Sequence, residues 1–255
     1  MKNMKCKRFS KLLLLLVMSI NVGLLQAKEI QTKLTWFNIT TLSFRVNGNV
    51  NELYVQPGDY IKKNQKIINL DQREYLENVT LTKSLFKSRK SELDEARREL
   101  ERATELFDRT VLSEHELQTV KNNFISSETR FVTANTNKLN AKRELEFSNI
   151  VSPFDAVVVD VKVKKSETIV STFKAMPAVI IAQANKLSAL FKLSADEKSK
   201  LKRNDVVKVV VAGASYEGKI FFPTLLPEND LYPVGVEITV SHDKIHAGMA
   251  ARINF

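Results

Sequence analysis

The sequence predicts an α+β chain in which a small β-sandwich is split by an antiparallel α-helical coiled-coil hairpin and followed by a small β-barrel. Three observations carry this. Neither glycine nor proline occurs in the 94 residues between Gly58 and Pro153, and such a stretch favours long helices. Apolar residues recur within it in sevens. On both sides of it the chain instead alternates apolar and polar residues around turn signals, the period of half-buried strands. With 44% hydrophobic and 27% charged residues, the composition is that of a globular chain, neither disordered nor embedded in a membrane.

The N-terminus comes first. Lys2, Lys5, Lys7, Arg8 and Lys11 precede an apolar run from Leu12 to Leu25, and Leu25-Gln26-Ala27 ends on a small residue. Residues 1–27 are therefore read as a secretory signal peptide, cleaved on export. The run contains Ser19, Asn21 and Gly23 and falls short of the roughly 20 apolar residues that cross a bilayer; an uncleaved anchor is the alternative. Cys6 precedes the run and so is not placed as a lipidated cysteine. This segment holds five of the 39 basic residues and no acidic one, leaving 34 basic against 29 acidic, a net of +5 in place of +10. The basic balance thus belongs largely to the export signal, which argues against a nucleic-acid partner. The one cysteine leaves with it, so the exported chain has neither a disulfide nor a thiol nucleophile.

Residues 28–45 read as an N-terminal strand segment. From Val46 to Asp71 (VNGNVNELYVQPGDYIKKNQKIINLD) the chain alternates around a turn at Pro57-Gly58-Asp59, and Ile150 to Ile169 (IVSPFDAVVVDVKVKKSETI) does the same, with Val157, Val159, Val161 and Val163 expected on one face. Each segment offers two or three strands, too few to bury a core alone; paired, residues 46–71 and 150–173 make a small sandwich.

Residues 72–148 between them form the hairpin. Val79, Phe86, Leu93, Leu100 and Phe107 lie seven apart, each of the first four followed three residues later by Thr82, Arg89, Ala96 and Ala103. A second series runs Leu117, Phe124, Phe131, Lys138 and Leu145, with Val120, Ser127, Ala134 and Ala141. Large residues in one row and small ones in the other suit close pairing of two helices. Each arm would be about 36 residues, or roughly 54 Å. The break falls at Asp108 to Leu112, and Ser113 with Glu116 makes a capping box for the second arm. A compact helical bundle would use the same stripes, but it needs a third helix of matching length, and Lys138 in the apolar row is tolerable only where its head can reach water.

Residues 174–255 contain runs such as VVKVVVA (206–212) and GVEITV (235–240), punctuated by Pro223, Pro227 and Pro233. They read as a small barrel, with one short helix over Ser194 to Arg203.

This order of parts resembles the periplasmic adaptor subunits, or membrane fusion proteins (HlyD-like, RND-type). The first β half is similar to their lipoyl-like half-motif through Val50, Val55, Gly58, Asp59, Lys62, Lys63, Gln65 and Leu70-Asp71. The second resembles their APFDGVV stretch in Ser152-Pro153-Phe154-Asp155-Ala156-Val157-Val158, and Gly248-Met249 matches the strand that closes their barrel. Asn64, Ala156 and Ser166 stand where the family has glycine. The resemblance implies a lipoyl-like sandwich and a membrane-proximal domain that is here absent or reduced to residues 28–43. It implies a location in the periplasm against the inner membrane. It further implies an inner-membrane transporter as partner (RND, with ABC as alternative), an outer-membrane channel, and self-association into a ring, trimeric or hexameric. Family members that dock to such a channel carry Arg-x-x-x-Leu and then Ser seven residues on; Arg102, Leu106 and Ser113 fit that spacing.

Catalysis has no carrier in the sequence. Gly213-Ala214-Ser215-Tyr216-Glu217 lacks the second glycine of a nucleophile elbow, and His115-Glu116 lacks the second histidine of a zinc-protease helix. His242, Asp243 and His246 read as a solvated turn rather than a metal site. Leu70-Asp71-Gln72-Arg73 offers no lysine for a swinging-arm cofactor. The expectation is a non-enzymatic protein without cofactor; an exported coiled-coil stalk with no pump is the competing reading.

Overall fold

A computed structural model describes residues 29–171, 175–240 and 245–254. The signal segment 1–27 with Cys6, and His242 and Asp243, lie outside the described residues. The chain forms β1 (Glu29–Trp36), β2 (Thr40–Ser43), β3 (Gly48–Leu53), β4 (Tyr60–Ile61), β5 (Lys66–Leu70), α1 (Arg73–Asp108), α2 (Glu114–Phe147), β6 (Asn149–Val151) and β7 (Ala156–Val161). There follow β8 (Thr168–Ile169), β9 (Pro177–Gln183), β10 (Lys186–Leu193), α3 (Ala195–Ser199), β11 (Val206–Val211), β12 (Ala214–Phe221), β13 (Tyr232–Thr239) and β14 (Ala250–Asn254). Two compact units result, Trp36–Ala184 and the residues on either side of it.

In the first unit, sheets ordered β2-β9-β7-β4 and β6-β5-β3-β8 share one apolar core that includes Val50, Ile68, Leu70, Ile150, Val158 and Ile181. The two halves complete each other through equivalent turns. The amide of Ser166 donates to Val50 O (2.8 Å) and that of Val50 to Glu167 O (2.8 Å); correspondingly, the amide of Asn64 donates to Ser152 O (2.7 Å) and that of Ser152 to Gln65 O (3.0 Å). Within each turn a side chain repeats the pattern, since Gln65 Oε1 accepts from the Lys62 amide and Glu167 Oε2 from that of Lys164. Asn64 and Ser166 hold φ of 65° and 68°, the left-handed conformation that glycine adopts at least cost. The turns keep their geometry without glycine.

Several sequence expectations are corrected here. Residues 177–183, assigned to the barrel, form β9 and pair with β7 and β2 in the sandwich; their run AVIIA is buried on both faces, as a central strand requires. Residues 29–43, where a membrane-proximal domain was expected to be absent or reduced to a strand segment, supply a barrel strand and a sandwich strand. The valines of β7 do not alternate as expected: Ala156, Val157 and Val158 are all buried, and the register shifts between Val158 and Asp160, a bulge that breaks the period of two. The short helix spans 195–199 rather than 194–203.

The barrel closes in the order β1-β10-β13-β12-β11-β14. β14 seals it by pairing with both β1 and β11, and the Gly248-Met249 turn bonds Leu34 through the Leu34 amide to Met249 O (2.8 Å) and the Gly248 amide to Leu34 O (2.7 Å). Its interior is filled by inward branched residues such as Val209, Ile220, Val236, Ile238 and Ile253, each at most 1% exposed. Gly218 is required by this packing, because a Cβ there would stand 2.2 Å from Val236 Cγ1.

The helices obey the sevenfold pattern. The small positions are the buried ones: Thr82, Ala96 and Ala103 on α1, and Ser127, Ala134 and Ala141 on α2, with Leu93 and Leu117 beside them. The large rings lie over that contact half-buried, Phe86 against Phe131 at 5.4 Å between centroids. Lys138 does not simply reach for water; its ammonium lies 3.2 Å from the Phe86 ring centre, where the ring's negative face attracts it. Phe131→Ala is expected to lower the stability of the helical pair by about 2 kcal/mol, less than the roughly 3 to 5 of a fully buried ring, read as a fall in the thermal midpoint of the helical circular-dichroism signal.

Candidate functional site at the hairpin tip

The helical pair ends in a five-residue connection, 109–113, whose geometry is set by two complementary caps. At the C-terminus of α1, the Thr110 amide donates to Phe107 O (2.8 Å) and the Val111 amide to Leu106 O (2.9 Å), with Thr110 at φ 61°. This is a Schellman closure, in which the residue after the cap turns left-handed and the next amide reaches back to the last turn. The motif brings its characteristic apolar pair together in sequence terms, Leu106 with Val111, and both are solvent-exposed, Val111 by 70%. A β-branched residue in this conformation is unusual, and the position carries strain that glycine would not.

At the N-terminus of α2, Ser113 Oγ accepts from the Glu116 amide (3.3 Å) and Glu116 Oε2 accepts from the Ser113 amide (2.9 Å) and hydroxyl (2.6 Å). The capping box read from the sequence is present. Its consequence for the site is that the Ser113 hydroxyl both donates and accepts inside the cap, so it positions the second arm. Those hydrogen bonds hold the Glu116 carboxyl below its ordinary range.

Arg102 lies one turn before Leu106 on the same face of α1. Its guanidinium is exposed and bonds Glu95 Oε1 at 3.2 Å, while Arg98 bonds the other oxygen of the same carboxylate at 2.5 Å. The Arg98 hydrogen bond, then that of Arg102, lowers the pKa of Glu95. An exposed pair of this kind contributes little to stability, so Arg102 can exchange Glu95 for another acceptor at little cost. The three sequence-predicted residues thus fall within one end of the hairpin, in three different situations: an exposed apolar knob, a loosely held cation and a cap. Sequence reasoning missed Val111. Its signal was a pair of apolar residues, Val111 and Leu112, inside a turn that otherwise holds Arg109, Thr110 and Ser113.

The other candidates sit elsewhere. Ser215 lies in β12 opposite Val210, beside the β11–β12 turn where Ala212 and Gly213 take φ of 49° and 82°, the two positive φ values of a tight hairpin. His115 is in the first turn of α2. His246 donates its amide to Met249 Sδ at 3.3 Å. Among the described residues no three potential metal ligands cluster.

No protein-family model matches the chain. The multidrug resistance protein MdtA of Yersinia pestis (strain Pestoides F) is 27% identical over 157 residues, which is 61% of this chain and 35% of the relative; MdtA of Yersinia pseudotuberculosis matches equally. The match therefore spans about a third of the length of these curated relatives. Among solved structures, the membrane fusion protein Spr0693 from Streptococcus pneumoniae R6 superposes with a TM-score of 0.69 at 16% identity, over 89% of this chain and 97% of that one. A MacA–MexA chimera carrying the α-hairpin domain of Pseudomonas aeruginosa MexA gives 0.63 at 17% identity, over 89% and 81%. The fold is that of the membrane fusion proteins.

Two outcomes are expected at the tip. Thr110→Gly relieves about 1 to 2 kcal/mol of left-handed strain against about 0.5 to 1 of added unfolded-state entropy, so denaturant unfolding should show unchanged or slightly raised stability, whereas Thr110→Val should lower it. Glu116 has a folded pKa below its unfolded one. Its contribution is present above the unfolded value and is lost as pH falls through the folded value, so the protection factors of the amides at residues 113–117 should fall in acid, and Ser113→Ala, which costs about 1 kcal/mol of capping but keeps the backbone amide bond to Glu116, should shrink that acid-dependent step without removing it.

Proposed function

We propose that this chain, a relative of the membrane fusion proteins with their fold, is itself a periplasmic adaptor of an efflux or export assembly. The single observation that carries the reading is a paired helical arm, 36 residues on its first side and so about 54 Å long, whose far end presents an exposed apolar knob. The mechanism is scaffolding and sealing. The adaptor stands in the periplasm against the inner membrane, engages a transporter there, RND-type in the first instance and ABC-type as the alternative, and packs with copies of itself into a ring of three or six. The hairpin tip meets an outer-membrane channel. The interleaved sandwich is read as lipoyl-like, with the helical arm in the place where a carrier protein would present its modified lysine.

At the tip each residue takes a distinct task. Leu106, with Val111 beside it, buries against an apolar recess of the channel; with 41% of Leu106 exposed, the gain is a fraction of the roughly 1.5 to 3 kcal/mol of a side chain taken wholly from water, and a ring multiplies that small contribution by the number of copies. Arg102 leaves Glu95 for a carbonyl or carboxylate of the channel, where its planar fork can bond twice. Ser113 keeps the second arm in register with the first.

Leu106→Asp is expected to abolish channel association, measured by co-purification from crosslinked cells, and to remove efflux activity, while helical content stays that of the parent. A variant that retains full association takes the tip out of the interface.

A further inference from the structure

The barrel carries a second exposed apolar feature. Leu225 and Leu226 are 71% and 74% exposed, higher than any other large apolar residue described. They lie in Phe222-Pro223-Thr224-Leu225-Leu226-Pro227, a stretch without charge, joining β12 to β13. The loop is firmly held at its base: Glu228 and Leu231 bridge each other, Glu228 bonds Lys192 at 2.8 Å, and the Lys198 ammonium lies over the rings of Tyr232 (4.3 Å) and Phe222 (5.5 Å).

Register places this loop at a definite end of the barrel. Leu193 pairs with Tyr232, Val206 with Lys219, and Asn254 with both Lys208 and Glu29. Leu225-Leu226, the turn at 200–205 and the entry of the chain at Glu29 are therefore on one side, and the Ala212-Gly213 turn is on the other. The turn at 200–205 supplies Lys200, Lys202 and Arg203, all solvent-facing. Four acidic groups here have partners on their own chain: Asp205 accepts from the Lys202 amide (2.7 Å), Glu197 from that of Ser194 (3.2 Å), Glu228 is paired with Lys192 and Glu29 with Arg252; Asp196 and Asp230 are exposed. The apolar run Leu12–Leu25 precedes Glu29 by four residue steps, at most about 14 Å of chain.

We propose that this end of the barrel rests on an anionic lipid surface, with Leu225 and Leu226 entering the acyl boundary while Lys198, Lys200, Lys202 and Arg203 meet the headgroups. Adjacent leucines beside cations are the chemistry of shallow interfacial insertion. A chain that still carries residues 12–25 in the bilayer holds this end within reach of it. The inference stands whether or not the hairpin tip meets a channel.

The test uses the full chain with Cys6→Ser and a single dye-labelled cysteine, either Leu225→Cys or Ser215→Cys at the opposite barrel end, on vesicles of phosphatidylethanolamine and phosphatidylglycerol. Because residues 12–25 can retain the chain on a vesicle by themselves, dye depth is the readout. The expected result is a blue shift at 225 and loss of most of its emission to acyl-chain spin labels, neither occurring at 215, with the shift at 225 abolished by Leu226→Asp. Equal quenching at both positions overturns the proposal. So does a dye at 225 that stays in water on the vesicle, and if that dye is buried only when a membrane protein is added, the loop belongs to a protein partner.

Discussion

The mutual completion of the two sandwich halves is the constraint on which the first unit depends. Neither half has a turn that is satisfied alone: the backbone of Val50 is paired by the 166–167 turn and that of Ser152 by the 64–65 turn. Unpaired amides and carbonyls in so buried a place would each cost on the order of 1 to 3 kcal/mol, so the halves must form together. The chain between them is then obliged to leave from β5 and return at β6, its neighbour in the sheet. The feet of the excursion are joined as well, with the Leu70 amide donating to Ser148 O at 2.9 Å and the Gln72 amide group to Ser148 Oγ at 2.7 Å. Two helices that start from adjacent strands and stay in contact run antiparallel and end together, which is why lengths of 36 and 34 residues follow from the base.

What holds the arms together is the burial of small residues. With alanine, serine and threonine at the contact, the backbones approach closely, and the phenylalanines cover the seam from its edge instead of separating the helices. A two-helix structure has no third surface to bury a large ring fully, so its rings stay half-exposed and gain from the neighbouring cation of Lys138. Exposed apolar residues remain along the arm, among them Leu81, Ile125 and Val132, as well as at its end, where Leu106 and Val111 stand out from the last turns.

Charge reinforces the arm. Glu92 is held below its ordinary pKa by Arg89, and Glu95 by Arg98, and Arg130 of α2 reaches Glu92 at 3.8 Å. These pairs are exposed and individually weak. They bias the arm against acid without deciding its fold.

The sequence by itself determined what depends on local chemistry and short periods. The absence of glycine and proline, the sevenfold rows and the Ser113–Glu116 cap set the helices, their break and the neighbourhood of Arg102 and Leu106, because helix formation and capping are decided within a few residues. Tertiary structure alone decided which strand joined which sheet. Residues 29–36 and 177–183 have apolar patterns that suit either unit, and their placement rests on partners more than 130 residues away, in β14 and β10 for the first and in β2 for the second. The same holds at the turns: Asn64, Thr110 and Ser166 do not announce a left-handed backbone, and the surrounding hydrogen bonds impose it. Exposure was equally beyond the sequence, since a leucine in a row and a leucine on a tip are alike until the neighbours that cover them, or fail to, are in place.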